Sequence, residues 1–228
     1  MGTDMNGIEL CVFDAYGTLY DFNSAVARHR AAIGAKAEAL TGMWRDKQIQ
    51  YTWLRNSMGA YDKFWQVTGE ALDHCLVAQG IAASDVREKL LSAYLALAPF
   101  PEVPAALDRL KGAGRRLAIL SNGNPEMLDP MVRASGLADR FEVVLSVDAV
   151  GVFKPDPRVY RLVEARLGVA PDKVCFLSSN CWDAHGAAHF GFRTVWVNRM
   201  NAPDDGLPGR LAAQIKDLSR LPSLLGIA

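Results

Sequence analysis

The 228-residue chain carries 25 basic and 25 acidic residues, so its formal charge is zero and it presents no electrostatic footprint for nucleic acid or an anionic membrane surface. No apolar run nears the ~20 residues that cross a bilayer, and Met1–Asn6 lacks the basic and apolar regions of a secretion signal. The four cysteines, Cys11, Cys75, Cys175 and Cys181, show no CxxC spacing and two lie in apolar runs, so the expectation is a soluble, cytoplasmic protein with reduced thiols and a small-molecule partner.

The chain opens with a short apolar run, Leu10 to Phe13, that stops at Asp14 and is followed by Gly17 and Thr18. Its length and composition suit a buried central strand, and Gly17 supplies the backbone freedom for the chain to turn away. In open α/β sheets the carboxyl ends of the strands are where ligands bind, so Asp14 reads as a nucleophile or a metal ligand. The bland alternative is that it caps a turn.

From Tyr20 to Ala98 the pattern is helical, crowded with Trp44, Tyr51, Trp53, Tyr61, Phe64 and Trp65, and no strand signal interrupts it. Beyond Pro99-Phe100-Pro101 the chain alternates: a helix from Val103 to Lys111, a strand at Leu117–Leu120, a helix after Pro125, a strand near Val143–Leu145 and a helix from Pro157. A strand at Val174–Leu177, a helix over Ala184–His189 and a strand at Thr194–Val197 follow, then a loop from Asn201 to Gly209 and a helix-prone tail. The expected fold is α/β, a doubly wound, Rossmann-type parallel sheet made of residues 1–20 and 99–228, with residues 21–98 inserted as a helical cap.

Each apolar run ends in polar residues: Asp14 with Thr18, Ser121-Asn122-Gly123, Lys154-Pro155, and Ser178-Ser179-Asn180 with Asp183 close behind. Parallel strands bring these four endings to one edge. An acid, a hydroxyl, a lysine and a second acid in that order make a specific constellation.

Asp14-Xaa-Xaa-Gly17-Thr18, Ser121-Asn122, Lys154-Pro155-Asp156 and the late Asp183 resemble the four motifs of the haloacid dehalogenase superfamily, over essentially the whole chain. Most members are phosphatases, with a second aspartate two residues after the nucleophile to protonate the leaving alcohol; here that position is Tyr16. A halide leaves as a stable anion and needs no such proton. With Ser178-Ser179-Asn180-Cys181-Trp182-Asp183 and Trp44-Arg45 as well, the chain is most similar to the L-2-haloacid dehalogenases.

That resemblance implies attack of the Asp14 carboxylate on C2 of a 2-haloacid, release of halide, and hydrolysis of the aspartyl ester by water with Asp183 as general base. It makes Lys154 the cation between the two acids and Thr18 the residue that orients Asp14. Ser121 would bind the substrate carboxylate, and Arg45 from the cap would receive the halide with Asn122. Tyr160, Ser178 and Asn180 would position Lys154, Asp183 or the water, and Tyr16, Ile49, Phe64 and Trp182 would form the apolar wall. No cofactor and no metal are implied, and a homodimer is the expected assembly.

Without the resemblance, Arg45 reads as a solvated helix residue, and Tyr160 and the aromatics as packing. His185 and His189 are spaced i, i+4, but with no third ligand in view they read as an ordinary helix face. Two other readings remain at this stage: a magnesium-dependent phosphatase of the same fold, which Tyr16 opposes, and a non-catalytic binding protein, which the complete set of polar strand ends opposes.

Overall fold

The computed structural model describes residues 5–82 and 84–227, so part of the Met1–Asn6 stretch lies outside the described residues. Strand β1 (Leu10–Phe13) is fully buried at every position, which is why it reads as an unbroken apolar run. Burying Leu10, Val12 and Phe13 stabilises the fold by roughly 1.5–3 kcal/mol each.

Helices follow: α1 (Asn23–Ala27), α2 (Arg30–Ile33), α3 (Ala37–Met58), α4 (Phe64–Gln79) and α5 (Ser84–Tyr94). No named strand lies in this span among the described residues. Helix α3 buries Ala37, Leu40, Trp44, Gln48 and Thr52, a stripe at helical spacing that packs on α4. The polar Gln48 within that stripe is 1% exposed, and it proves to be part of the site.

The chain then alternates through α6 (Val103–Gly112), β2 (Arg116–Ser121), α7 (Pro125–Ala134), β3 (Val143–Ser146), α8 (Pro157–Leu167), β4 (Val174–Ser178), α9 (Cys181–Phe190) and β5 (Arg193–Val197). The tail departs from expectation. Ala213–Ile215 forms a sixth strand, β6, before a four-residue helix α10 (Leu221–Leu224). Three residues carry almost no strand signal of their own, and pairing with β5 decides the matter. Helix α9 also starts earlier than read, so Trp182 and Asp183 stand in its first turn.

All the strand pairings are parallel, in the order β3-β2-β1-β4-β5-β6. The chain runs outward from β1 through β2 to β3, crosses back to β4, and continues through β5 to β6. The order therefore reverses between β1 and β4, and a crevice opens there at the carboxyl ends. Phe13 is level with Ile119 and Leu177, so Asp14, Ser121 and Ser178 leave the sheet at nearly the same height.

Candidate active site

Asp14 is delivered to the crevice by the register of β1, its backbone N–H donating to the Leu177 carbonyl at 2.8 Å. The chain then turns sharply at Gly17, whose φ is +85°. A Cβ there would sit 2.8 Å from Ser179 Oγ, so the turn needs glycine for both backbone and space.

Three charged side chains meet in this crevice. Lys154 Nζ donates to Asp14 Oδ1 at 3.0 Å and to Asp183 Oδ2 at 3.0 Å, with the lysine 1%, Asp14 5% and Asp183 0% exposed. Asp14 Oδ2 accepts from Asn180 Nδ2 at 3.0 Å and from Thr18 Oγ1 at 3.2 Å. Asp183 Oδ1 accepts from the Tyr160 hydroxyl at 2.8 Å. Every carboxylate oxygen thus has a donor, as buried charge requires.

Burial alone would push Lys154 down, but Asp14 and Asp183 outweigh it and hold the ammonium above its usual range. Burial raises the Asp183 carboxyl, with Lys154 opposing and Asp14 adding to the rise. Burial and the neighbouring Asp183 push the Tyr160 phenol far up, so it is a hydrogen-bond donor at neutral pH.

Asn180 occupies the N-cap of α9 but makes no capping bond, because its side chain is committed to the site. While Nδ2 donates to Asp14, Oδ1 accepts from Arg45 Nη2 at 3.2 Å. Arg45 reaches over from α3, stacks on Phe22 at 5.1 Å and donates through Nη1 to Gln48 Oε1 at 2.7 Å. The helix residue that looks solvated in isolation is therefore part of the crevice.

The other expected site residues have partners of their own within the protein. Ser178 Oγ accepts from Asn180 N at 3.2 Å, so it shapes the turn rather than touching Lys154 or Asp183, and Asn180 serves Asp14 and Arg45 instead. Ser121 Oγ accepts from Gly123 N at 3.1 Å, and Asn122 Oδ1 accepts from Lys154 N at 3.0 Å. Tyr16 packs on Phe64 at 5.8 Å and Tyr94 at 5.3 Å, while Ile49 is buried one turn beyond Arg45 on α3. The aromatic contact of Trp182 runs to Trp53 of α3, with ring centroids 5.4 Å apart.

Several residues enter the site with no role assigned to them from the sequence, although Ser179 lies within a polar strand end that stands out there. Gln48 joins Arg45 to Thr68 and Tyr94 through hydrogen bonds of 2.7–3.2 Å. Ser179 donates its N–H to Thr18 Oγ1 at 2.8 Å. Arg199 Nη2 donates to the Thr18 carbonyl at 2.8 Å and stacks 3.7 Å above Phe100, which fixes the turn after Asp14. The i, i+3 spacing of Arg45 and Gln48 is the local hint for Gln48.

Two buried polar atoms facing this region, the Tyr16 hydroxyl and Arg45 Nε, have no hydrogen-bond partner within the protein. Buried polar groups are normally paired, so these two suit a polar ligand.

Residues 8–191 match the family model described as haloacid dehalogenase-like hydrolase. The chain is 47% identical over 222 residues to (S)-2-haloacid dehalogenase 1 of Pseudomonas sp. strain CBS-3, covering 97% of this chain and 98% of the relative. The chain belongs to the (S)-2-haloacid dehalogenases of the haloacid dehalogenase superfamily. A solved dehalogenase structure superimposes with a TM-score of 0.93 at 45% identity, covering 96% of this chain and 98% of that one. The L-2-haloacid dehalogenase of Xanthobacter autotrophicus with chloropropionic acid covalently bound superimposes with a TM-score of 0.88 at 38% identity, covering 97% of this chain and all (100%) of that one. The Asp14–Lys154–Asp183 array of this dehalogenase therefore stands on a fold that, in a relative, has held a chloropropionate adduct.

Proposed function

We propose that this protein hydrolyses L-2-haloalkanoic acids to D-2-hydroxy acids and halide through an ester on Asp14. The observation that carries the reading is the pairing of a buried aspartate, braced by Lys154 at 3.0 Å, with a tyrosine rather than an acid two residues later. A nucleophile is present and the proton donor that an alkoxide leaving group requires is missing.

In the first step Asp14 attacks C2 from behind the carbon–halogen bond, forming an ester and releasing halide. Thr18 and Asn180 hold one carboxylate oxygen and Lys154 the other, so the attacking geometry is set before substrate arrives. The substrate carboxylate is taken by the Ser121 hydroxyl and neighbouring backbone N–H groups. Arg45 and Asn122 receive the departing halide; a guanidinium keeps its charge at any working pH, and the unpartnered Arg45 Nε is a donor to spare. Tyr16, Ile49, Phe64 and Trp182 form the apolar wall around the C2 substituent.

In the second step water attacks the carboxyl carbon of the ester and Asp183 takes its proton, with Tyr160 and Lys154 steadying that carboxylate. Residues 21–98 act as a cap that closes Arg45 over the core formed by residues 1–20 and 99–228 and excludes water during displacement.

No helix among the described residues is long and apolar enough to cross a membrane. The reading places the protein in the cytoplasm, where four buried free thiols are at home. It also makes the protein a homodimer, for which the exposed Trp53, Leu54 and Met58 on α3 offer apolar surface; sedimentation of the purified protein checks this.

A single turnover in oxygen-18 water with enzyme in excess tests the chemistry. The heavy label should enter Asp14 and not the hydroxy acid, because water attacks the ester carbonyl; label in the first-turnover product instead would mean direct displacement by water.

A further inference from the structure

The two histidines spaced i, i+4 on α9 do not form a pair. His189 is exposed, whereas His185 is buried beside Cys181, one turn earlier on the same helix, and Asp204, from the loop after β5. Cys181 Sγ, a His185 ring nitrogen and an Asp204 carboxylate oxygen all lie within 4.8 Å of one another.

Each of the three is already oriented. His185 Nδ1 donates to the Gly209 carbonyl at 2.9 Å, and Nε2 hydrogen-bonds Asp204 Oδ1, also at 2.9 Å, so a cation would take the place of the Nε2 proton between ring and carboxylate. A carbonyl behind the ring is the arrangement that sets the tautomer and direction of a ligating histidine. Gly209 makes the approach possible: its φ is +105°, and any Cβ there would overlap the His185 carbonyl and the His189 amide. The Asp205 N–H donates to Cys181 Sγ at 3.5 Å, and the carboxylates of Asp204 and Asp205 surround that thiol with negative charge.

Cys181 is buried, which argues against a free nucleophile or redox sensor there. Coordination is the chemistry that a thiol, an imidazole and a carboxylate share. A tetrahedral ion with bonds of 2.0–2.3 Å separates its ligand atoms by about 3.3–3.7 Å, so the longest separation must close by about 1.5 Å at most and the His185–Asp204 contact must open by about 0.4 Å. Asp204, whose side chain is half exposed, can supply that movement.

We propose that Cys181, His185 and Asp204 form a binding site for a divalent cation of the zinc class, outside the Asp14 centre, which ties the loop after β5 to the helix that carries Asp183. Cys181 binds as the thiolate and His185 through a deprotonated Nε2, both displaced protons passing to solvent, and water completes the tetrahedron. Thiolate and imidazole favour zinc or cobalt over magnesium. The approach is an outer groove of about 590 Å³ lined by Trp182, His185, Leu207 and Pro208 among others. The ion takes no part in halide displacement, so the site stands or falls separately from the proposed reaction.

Tag-free protein titrated with Co²⁺ tests this directly. One equivalent should bring up a near-ultraviolet thiolate-to-cobalt charge-transfer band that Zn²⁺ abolishes, and Zn²⁺ should raise the thermal midpoint. Cys181→Ser should remove the band, His185→Gln and Asp204→Asn should weaken binding at least ~10-fold, and His189→Gln should leave it unchanged. Asp204→Asn, on an exposed loop, keeps the test decisive if a helix substitution disturbs folding. No thiolate band in the wild type, a band that survives Cys181→Ser, or loss of binding in His189→Gln overturns the proposal.

Discussion

Replacing Lys154 by methionine keeps much of the side-chain volume and deletes the ammonium that Asp14 and Asp183 share at 3.0 Å each. All three groups are almost completely buried, so solvent cannot take over the charge. Breaking a buried ion pair by removing one partner costs ~3–5 kcal/mol, because the charge left behind is uncompensated. For a chain of this size that is a fall of ~6–20 °C in thermal midpoint. The loss should depend on pH, and its sign follows from Asp183. Its carboxyl is already raised by burial, so the folded state holds the proton more tightly than the unfolded state. Stability from this group therefore falls as pH rises from the unfolded value of ~3.9 through the higher folded one. Lys154 opposes the rise, so removing it extends that window upward, and the deficit of Lys154→Met should be larger at pH 8 than at pH 5. Calorimetry of wild type, Lys154→Met and Lys154→Met/Asp14→Asn at both pH values decides it, the double variant recovering part of the loss by removing one of the two stranded charges. A Lys154→Met protein within ~1 kcal/mol of wild type at pH 8, or a deficit that ignores pH, would refute the charge coupling.

Asp14→Asn should fold with a thermal midpoint within about 4 °C of wild type, because it leaves Lys154 and Asp183 as a balanced pair, while halide release falls ~10³-fold or more. Halide titration and calorimetry on one preparation check both halves. Tyr160→Phe removes a hydrogen bond that holds the Asp183 carboxyl down, so the acid limb of the kcat–pH profile should move to higher pH; a lower rate with an unmoved limb would mean that Tyr160 only packs. L-2-Chloropropionate should give D-lactate, since backside attack inverts C2 and ester hydrolysis leaves it alone, and D-2-chloropropionate should react far more slowly; chiral chromatography of the products distinguishes this from retention or from indifference to configuration.

Strands β1, β2 and β4 were legible because a strand with sheet neighbours on both sides and helices over both faces must be apolar throughout, and such runs stand out in the sequence. Strand β6 was not, since Ala213, Gln214 and Ile215 become a strand only by pairing with β5. Asp14, Lys154 and Asp183 stand out equally in the sequence, because each follows a recognisable apolar run or belongs to a motif of fixed spacing. Their supports do not. Gln48 and Tyr94 are 46 residues apart, and Arg199 reaches back 181 residues to Thr18.

What the sequence determined by itself, then, is chemistry carried on short-range pattern: an acid at the end of a buried strand, a tyrosine where a phosphatase carries its proton donor, a lysine before a proline, and a second acid a few residues beyond the last polar strand end. Tertiary structure decided which polar groups those residues meet. Asn180 gives up capping its helix to hold Asp14 and Arg45, Ser178 Oγ accepts from the Asn180 amide, and Trp182 packs on Trp53. His185 finds Cys181 and Asp204 rather than His189. The physical reason is the same in each case: a side chain's partners are fixed by the direction in which its element leaves the sheet, and that direction is a property of the packed whole.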